Sequence, residues 1–204
     1  MIKLLSLTVF FCILFTGLKA QTEEEQLAWV IDELKLNKDS IRLDLAAVKR
    51  HPASVDLTIV CIPSIVEYVC GEECWTADVY VALLNKRSKK ITFQNFKRSL
   101  NSDAVYPSKI WIDTAPYHVS PNERAFAIRI EAQNDSRAAS FSGEEFWLML
   151  ARPDKIERLL QLDSKTFIAY GGGDCQDTEV HQQKSTFILT DKINDNGYFD
   201  FVEK

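Results

Sequence analysis

Residues 109–150 read KIWIDTAPYHVSPNERAFAIRIEAQNDSRAASFSGEEFWLML, and the alternation inside this stretch decides the fold class. Phe126, Ile128 and Ile130 alternate with Ala127, Arg129 and Glu131. A period of two places the large apolar side chains on one face of a strand. The charges fall on the other face, so the strand is expected to be half buried with one side wet. Ile110 and Ile112 repeat the pattern upstream, flanked by Trp111 and Asp113. Ala115-Pro116-Tyr117 and Ser120-Pro121-Asn122-Glu123 supply turn signals, because proline fixes its own φ and drives the preceding residue toward extended geometry. The polar run from Gln133 to Gly143 reads as a long loop, and long loops commonly carry function. Phe146 to Leu150 is a continuous apolar run, which its neighbours assign to a strand.

Working outward, Leu27, Val30, Ile31 and Leu34 fall at i, i+3, i+4 and i+7, the spacing of an amphipathic helix. Thr22 with Glu25 can form a capping box, and Glu23-Glu24-Glu25 suits the positive end of the helix dipole. Ile41, Leu43 and Leu45 alternate as in a strand, and Arg50-His51-Pro52 reads as a loop. Val55, Leu57 and Ile59 open another strand. Asp78 to Leu84 and Ile91 to Phe93 form a hairpin around the basic turn Lys86-Arg87-Ser88-Lys89-Lys90. Lys155 to Leu162 fits a helix or a strand; Phe167 to Tyr170 and Phe187 to Leu189 are strands. The expectation is a mainly β fold of antiparallel sheets, sandwich or propeller-like, with one short N-terminal helix.

Residues 1–20 carry Lys3, an apolar run from Leu4 to Leu18, and Ala20 before Gln21, the pattern of a signal peptide too short to span a membrane comfortably. The expectation is a secreted or periplasmic protein with one β-rich domain over residues 21–204 and no transmembrane segment after cleavage. The chain has a formal net charge of −5 and no basic stripe interleaved with aromatics, so nucleic acid is not an expected partner.

Once residues 1–20 are removed, Cys61, Cys70, Cys74 and Cys175 remain, and an even set in an exported chain reads as two disulfides with the pairing open. The terminal run from Lys192 to Glu203 has the spacing of a calcium loop, with Asn194, Asn196, Asp200 and Glu203 at candidate ligand positions and Gly197 at the sharp turn. Lys192 stands where such a loop has aspartate. The competing reading is an Asx-rich hairpin turn at Asn196-Gly197. No other cofactor is expected. Gly171-Gly172-Gly173 lacks the lysine and helix of a phosphate loop and reads as a tight bend. Adjacent Glu144 and Glu145 would face opposite sides of a strand.

Three runs carry a family resemblance: D-T-A-P-Y from Asp113 to Tyr117, R-A-F-A-I-R-I from Arg124 to Ile130, and N-D-S-R-A from Asn134 to Ala138. With Gly173-Asp174-Cys175 and the terminal Gly197-to-Asp200 run, they resemble a family of uncharacterised exported bacterial proteins over roughly the C-terminal half. Ala127 departs from that pattern, where the family has glycine. The terminal loop is also similar to that of periplasmic lysozyme-inhibitor and toxin-immunity proteins, from which Lys192 and Asn196 depart. The resemblance implies an exported, β-rich, inhibitor-like protein and supplies no catalytic residue.

The reading that follows is a non-catalytic exported protein that binds a protein or an envelope component. Its contact surface would be the wet sheet face and the loop from Gln133 to Gly143, with Ser136, Arg137 and Phe141 as contact residues. The alternatives are an exported hydrolase using Asp113, Glu123 or His118, which a shared concave pocket would reveal, and a structural envelope component.

Overall fold

A computed structural model describes residues 22–136, 138–171 and 178–204. The proposed signal peptide, Arg137, Gly172-Gly173 and Cys175 lie outside the described residues.

The chain opens with helix α1 (Glu23–Glu33), capped as its sequence predicts: Glu25 N donates to Thr22 Oγ1 at 3.2 Å and Thr22 N donates to Glu25 Oε2 at 3.0 Å. The segment from Ile41 to Leu45 is not a strand. It forms short 3-10 turns, Lys38–Ser40 and Leu43–Leu45, with a single bridge from Ile41 to Ser64. Local bonds win over the alternation here: Asn37 Oδ1 accepts from Asp39 N, and Arg42 pairs with Asp44. Leu45 is buried while Leu43 is exposed.

Strands β1 (Ala47–Arg50), β2 (Leu57–Tyr68), β3 (Trp75–Asn85) and β4 (Lys90–Ser102) form an antiparallel sheet in that order. Strands β5 (Tyr106–Ser120), β6 (Glu123–Gln133), β7 (Ala139–Ala151), β8 (Ile156–Gly171) and β9 (Thr178–Lys184) form a second antiparallel sheet, again in order. Strands β10 (Phe187–Ile193) and β11 (Phe199–Glu203) make a separate hairpin. The fold is therefore mainly β, antiparallel, with one helix longer than a turn among the described residues.

The alternation read from the sequence sets the layers. Ile59, Cys61, Val79 and Val81 of the first sheet meet Ile110, Ile112, Phe126, Ile128, Ile130, Trp147 and Met149 of the second in one buried cluster. The two sheets thus pack face to face. Each has an outer face with its own cover. Helix α1 lays Val30 and Ile31 on Val60, Ile62, Ala82 and Leu84. The β10–β11 hairpin brings Tyr198 and Phe201 to Val119, Ala125, Ala127, Phe146, Leu148 and Leu150.

Other sequence expectations shift in detail. The chain does not turn at Ala115-Pro116-Tyr117. Strand β5 continues through it with a bulge between Asp113 and Tyr117, which an edge strand accommodates because its proline needs no ladder partner. The turn comes at Pro121-Asn122. The Gln133–Gly143 stretch is mostly strand, since β7 resumes at Ala139. Lys155 to Leu162 enters β8 as strand.

Cys70 and Cys74 are joined in a disulfide at the β2–β3 connection, with Gly71 between them at φ +88°. Among the described residues Cys61 takes no part in a disulfide. It stands at an inward position of β2, fully buried in the inter-sheet core, and burial pushes its thiol up to about 12. The strand period commits Cys61 to the core, away from the Cys70–Cys74 bridge.

Candidate functional site on the outer face of the five-stranded sheet

The outer face of β6 is not simply wet. Its residues run Ala125, Ala127, Arg129, Glu131, Gln133 from covered to open. The first two lie under the β10–β11 hairpin and are fully buried. Arg129 sits at the boundary and joins strands β5, β6 and β7. Its Nε donates to Asp113 Oδ2 at 2.8 Å, its Nη1 to Glu144 Oε1 at 2.6 Å and its Nη2 to Tyr117 OH at 3.2 Å. Tyr117 OH donates to Asp113 Oδ2 at 2.7 Å. Ser164 Oγ also donates to Glu144 Oε1, and Lys165 Nζ to Glu144 Oε2 at 3.1 Å. The guanidinium lies 4.9 Å from the Phe146 ring centre, where cation–π attraction adds to the ion pairs.

These contacts fix the ionisation states. Burial alone would raise Asp113, but hydrogen bonds from Tyr117, Ala115 N and Arg129 hold it below the ordinary carboxylate value. Burial opposes the charge on Glu144 in the same way, and Ser164, Lys165 and Arg129 hold its carboxyl low. Burial, then the bond to Asp113, pushes Tyr117 up to about 12. Arg129 is raised by Tyr117 and Asp113 against the effect of burial. Each group therefore keeps one protonation state through neutral pH, which suits a clamp and not a proton relay.

Beyond the clamp, the same face is open. Glu131, Glu144, Lys165 and Lys184 are cross-strand partners in one row over β6 to β9, and Gln133, Ser142, Phe167 and Gln182 form the next row. Both rows line a groove of about 330 Å³. In the charged row, like faces like: Glu131 lies opposite Glu144, and Lys165 opposite Lys184. Such pairs weaken a sheet. Glu144 is compensated by Arg129 and Lys165. Lys109 stands opposite Glu131 on β5, but its ammonium lies over the Trp111 ring at 5.3 Å. Among the described residues, neither the Glu131 carboxylate nor the Lys184 ammonium is bonded to another side chain.

The residues singled out from sequence are dispersed. Ser136 is exposed, and its Oγ accepts from Ala139 N at 3.0 Å. Phe141 is a half-buried strand residue on the inter-sheet side of β7, close against Gly143 and lining a different groove with Leu100 and Ile130. In the hydrolase set, Asp113 belongs to the clamp, Glu123 pairs with Arg152 and Ser120, and His118 is exposed at the Arg124 position of the ladder. The three do not converge. At the C-terminus, Asn194 Oδ1 accepts from Asn196 N at 3.0 Å and Tyr198 N at 3.2 Å, Asp200 faces Lys192 at 3.8 Å, and Glu203 Oε1 accepts from Ser185 Oγ. Asn196 is exposed. Among the described residues no three His, Cys, Asp or Glu side chains gather as metal ligands.

Sequence reading missed the groove residues. Glu131 and Gln133 follow from the alternation in β6, but their partners on β7, β8 and β9 depend on register. Glu144 joins the Arg129 clamp, whereas its neighbour Glu145 accepts from Gln161 Nε2. No protein family, curated protein or solved structure matches the chain.

Proposed function

We propose that the chain is an exported, non-catalytic binding protein whose open outer sheet face engages a protein or an envelope component of its compartment. Export rests on the signal-like pattern of residues 1–20. The observation that carries the binding role is the charged row. A sheet that needed only stability would not set Glu131 opposite Glu144 and Lys165 opposite Lys184 across a concave surface. The face is built on strands and held along one side by the Arg129 clamp, so its polar groups are preorganised for a ligand. The fixed ionisation of Asp113, Tyr117 and Glu144 favours binding over acid–base chemistry.

The test has two parts. N-terminal sequencing of the chain recovered outside the cytoplasm should begin at Gln21; recovery of uncleaved chain in the cytoplasm ends the export reading. The oxidised chain lacking residues 1–20 should co-sediment with envelope material from its source, and Glu131→Lys with Lys184→Glu should abolish this. Sedimentation indifferent to both changes removes the face as the binding surface.

A further inference from the structure

We infer that the groove takes a short zwitterionic peptide of about four residues, its free amine over Glu131 and its free carboxylate over Lys184. This rests on the binding reading above and names the ligand class for the same face. The charged row is a dipole: carboxylates on β6 and β7, ammonium groups on β8 and β9. Arg129, Ser164 and Lys165 satisfy Glu144 internally, so the charges left for a ligand are Glu131 at one end and Lys184 at the other, with Lys165 half-exposed beside it.

Three inter-strand spacings of about 4.8 Å separate those ends, roughly 14 Å in all. An extended chain covers at most about 3.3–3.6 Å per residue, so about four residues bridge the span. The neighbouring row suits the body of such a ligand. Gln182 offers amide donors and an acceptor, Gln133 offers its carbonyl oxygen and the one amide hydrogen not given to Tyr106 OH, Ser142 adds a hydroxyl, and Phe167 presents an aromatic ring among them. Peptide groups need both donors and acceptors at fixed spacing, and a sheet supplies them. The two glutamates and two lysines cancel, so the groove sets up no single-sign field for a polyanion or polycation. The fixed direction of the dipole sets which end of the peptide lies over β6.

The experiment is a titration of the oxidised chain lacking residues 1–20 with tetra-alanine bearing free termini, followed by amide chemical shifts. The comparison ligands are N-acetyl-tetra-alanine amide, di-alanine and cellotetraose. Saturable shifts at Gln133 and Gln182 are expected with free tetra-alanine. Binding should weaken about tenfold or more when the termini are blocked, and again in Lys184→Gln, whose melting temperature should not fall. Equal binding of the blocked peptide, or tighter binding of cellotetraose, overturns the inference. Shifts that persist in the double variant Glu131→Gln/Lys184→Gln also overturn it, by placing the peptide elsewhere. If tetra-alanine fails while envelope sedimentation is still lost on Glu131→Lys with Lys184→Glu, the peptide class falls and the binding face stands. If both fail, the binding reading falls too.

Discussion

Arg129 on β6 and Glu144 on β7 meet diagonally across the strand boundary, Nη1 to Oε1 at 2.6 Å, with the carboxylate side chain only 2 % exposed. This pair divides the outer sheet face. On one side lie apolar residues covered by the β10–β11 hairpin; on the other lies the open groove.

Removing the guanidinium takes one of two cations from Glu144 and weakens the hold on Asp113. Arg129→Met should lower stability by about 1–3 kcal/mol in denaturant unfolding, because two largely buried carboxylates each lose a charged donor while Lys165 and Ser164 still hold Glu144. Arg129→Met/Glu144→Leu should recover part of that loss. A single variant as stable as the parent would mean the clamp holds nothing together.

Like-charged neighbours in the groove predict the opposite sign. Glu131→Gln and Lys184→Gln should leave stability unchanged or raise it by about 0.2–1 kcal/mol, since each removes a repulsion across the ladder. A clear loss in either variant would show that the row stabilises the sheet and needs no ligand to explain it.

Asp78 is buried at a register shift between β3 and β4 and holds the looped-out segment of β4. It accepts from Lys97 Nζ at 2.7 Å, Arg98 N at 2.9 Å and Asn95 Nδ2 at 3.1 Å, with Arg98 at φ +43°. Asp78→Ala should cost about 1–3 kcal/mol, the usual penalty for orphaning such donors. Burial raises its carboxyl, but Lys97, Arg98 N and Asn95 hold it below the ordinary value of 3.8. A depressed carboxylate contributes stability that is present above 3.8 and lost as pH falls through the lower folded value. Asp78→Asn should therefore flatten the acid limb of a melting-temperature profile.

His51 acts at higher pH. It is 7 % exposed, its Nδ1 accepts from Ala53 N at 3.2 Å, and burial, then the charge of Arg124, lowers it from 6.5. The folded state favours the neutral ring. Its contribution is present above pH 6.5 and lost as pH falls through the lower folded value. Melting temperature should decline on acidification below pH 6.5, and His51→Gln should decline less over the same range. Identical profiles would remove His51 as the cause.

Gly197 at φ +83° closes the β10–β11 turn, donating its N–H to Asn194 O at 2.9 Å. Gly197→Ala should cost about 1–2 kcal/mol, because a Cβ is disfavoured in left-handed geometry. Hydrogen exchange should quicken first in β10 and β11. Asn194 Oδ1 is already engaged by the N–H groups of Asn196 and Tyr198. Calcium at millimolar concentration should thus raise the melting temperature no more than magnesium does. A calcium-specific rise lost in Asp200→Ala would establish the loop as an ion site.

The alternation in residues 109–150 determined the layers by itself, because a strand's period of two commits each side chain to a face before any partner strand is known. It put Phe126, Ile128 and Ile130 into the core. Thr22 and Glu25 likewise determined their cap, and Asn196-Gly197 its turn, since those interactions close within a few residues. Ile41, Leu43 and Leu45 mimicked a strand because alternation over so few positions cannot outweigh local Asx and Arg–Asp bonds. The fate of the second face of β6 was decided only in three dimensions. Which half the terminal hairpin covers, and that Glu131 meets Glu144, Lys165 and Lys184 in one row, depends on register between strands up to 53 residues apart in the numbering. Register is a property of pairs of strands, set by bulges and by burial of the opposite face, and no single segment contains it.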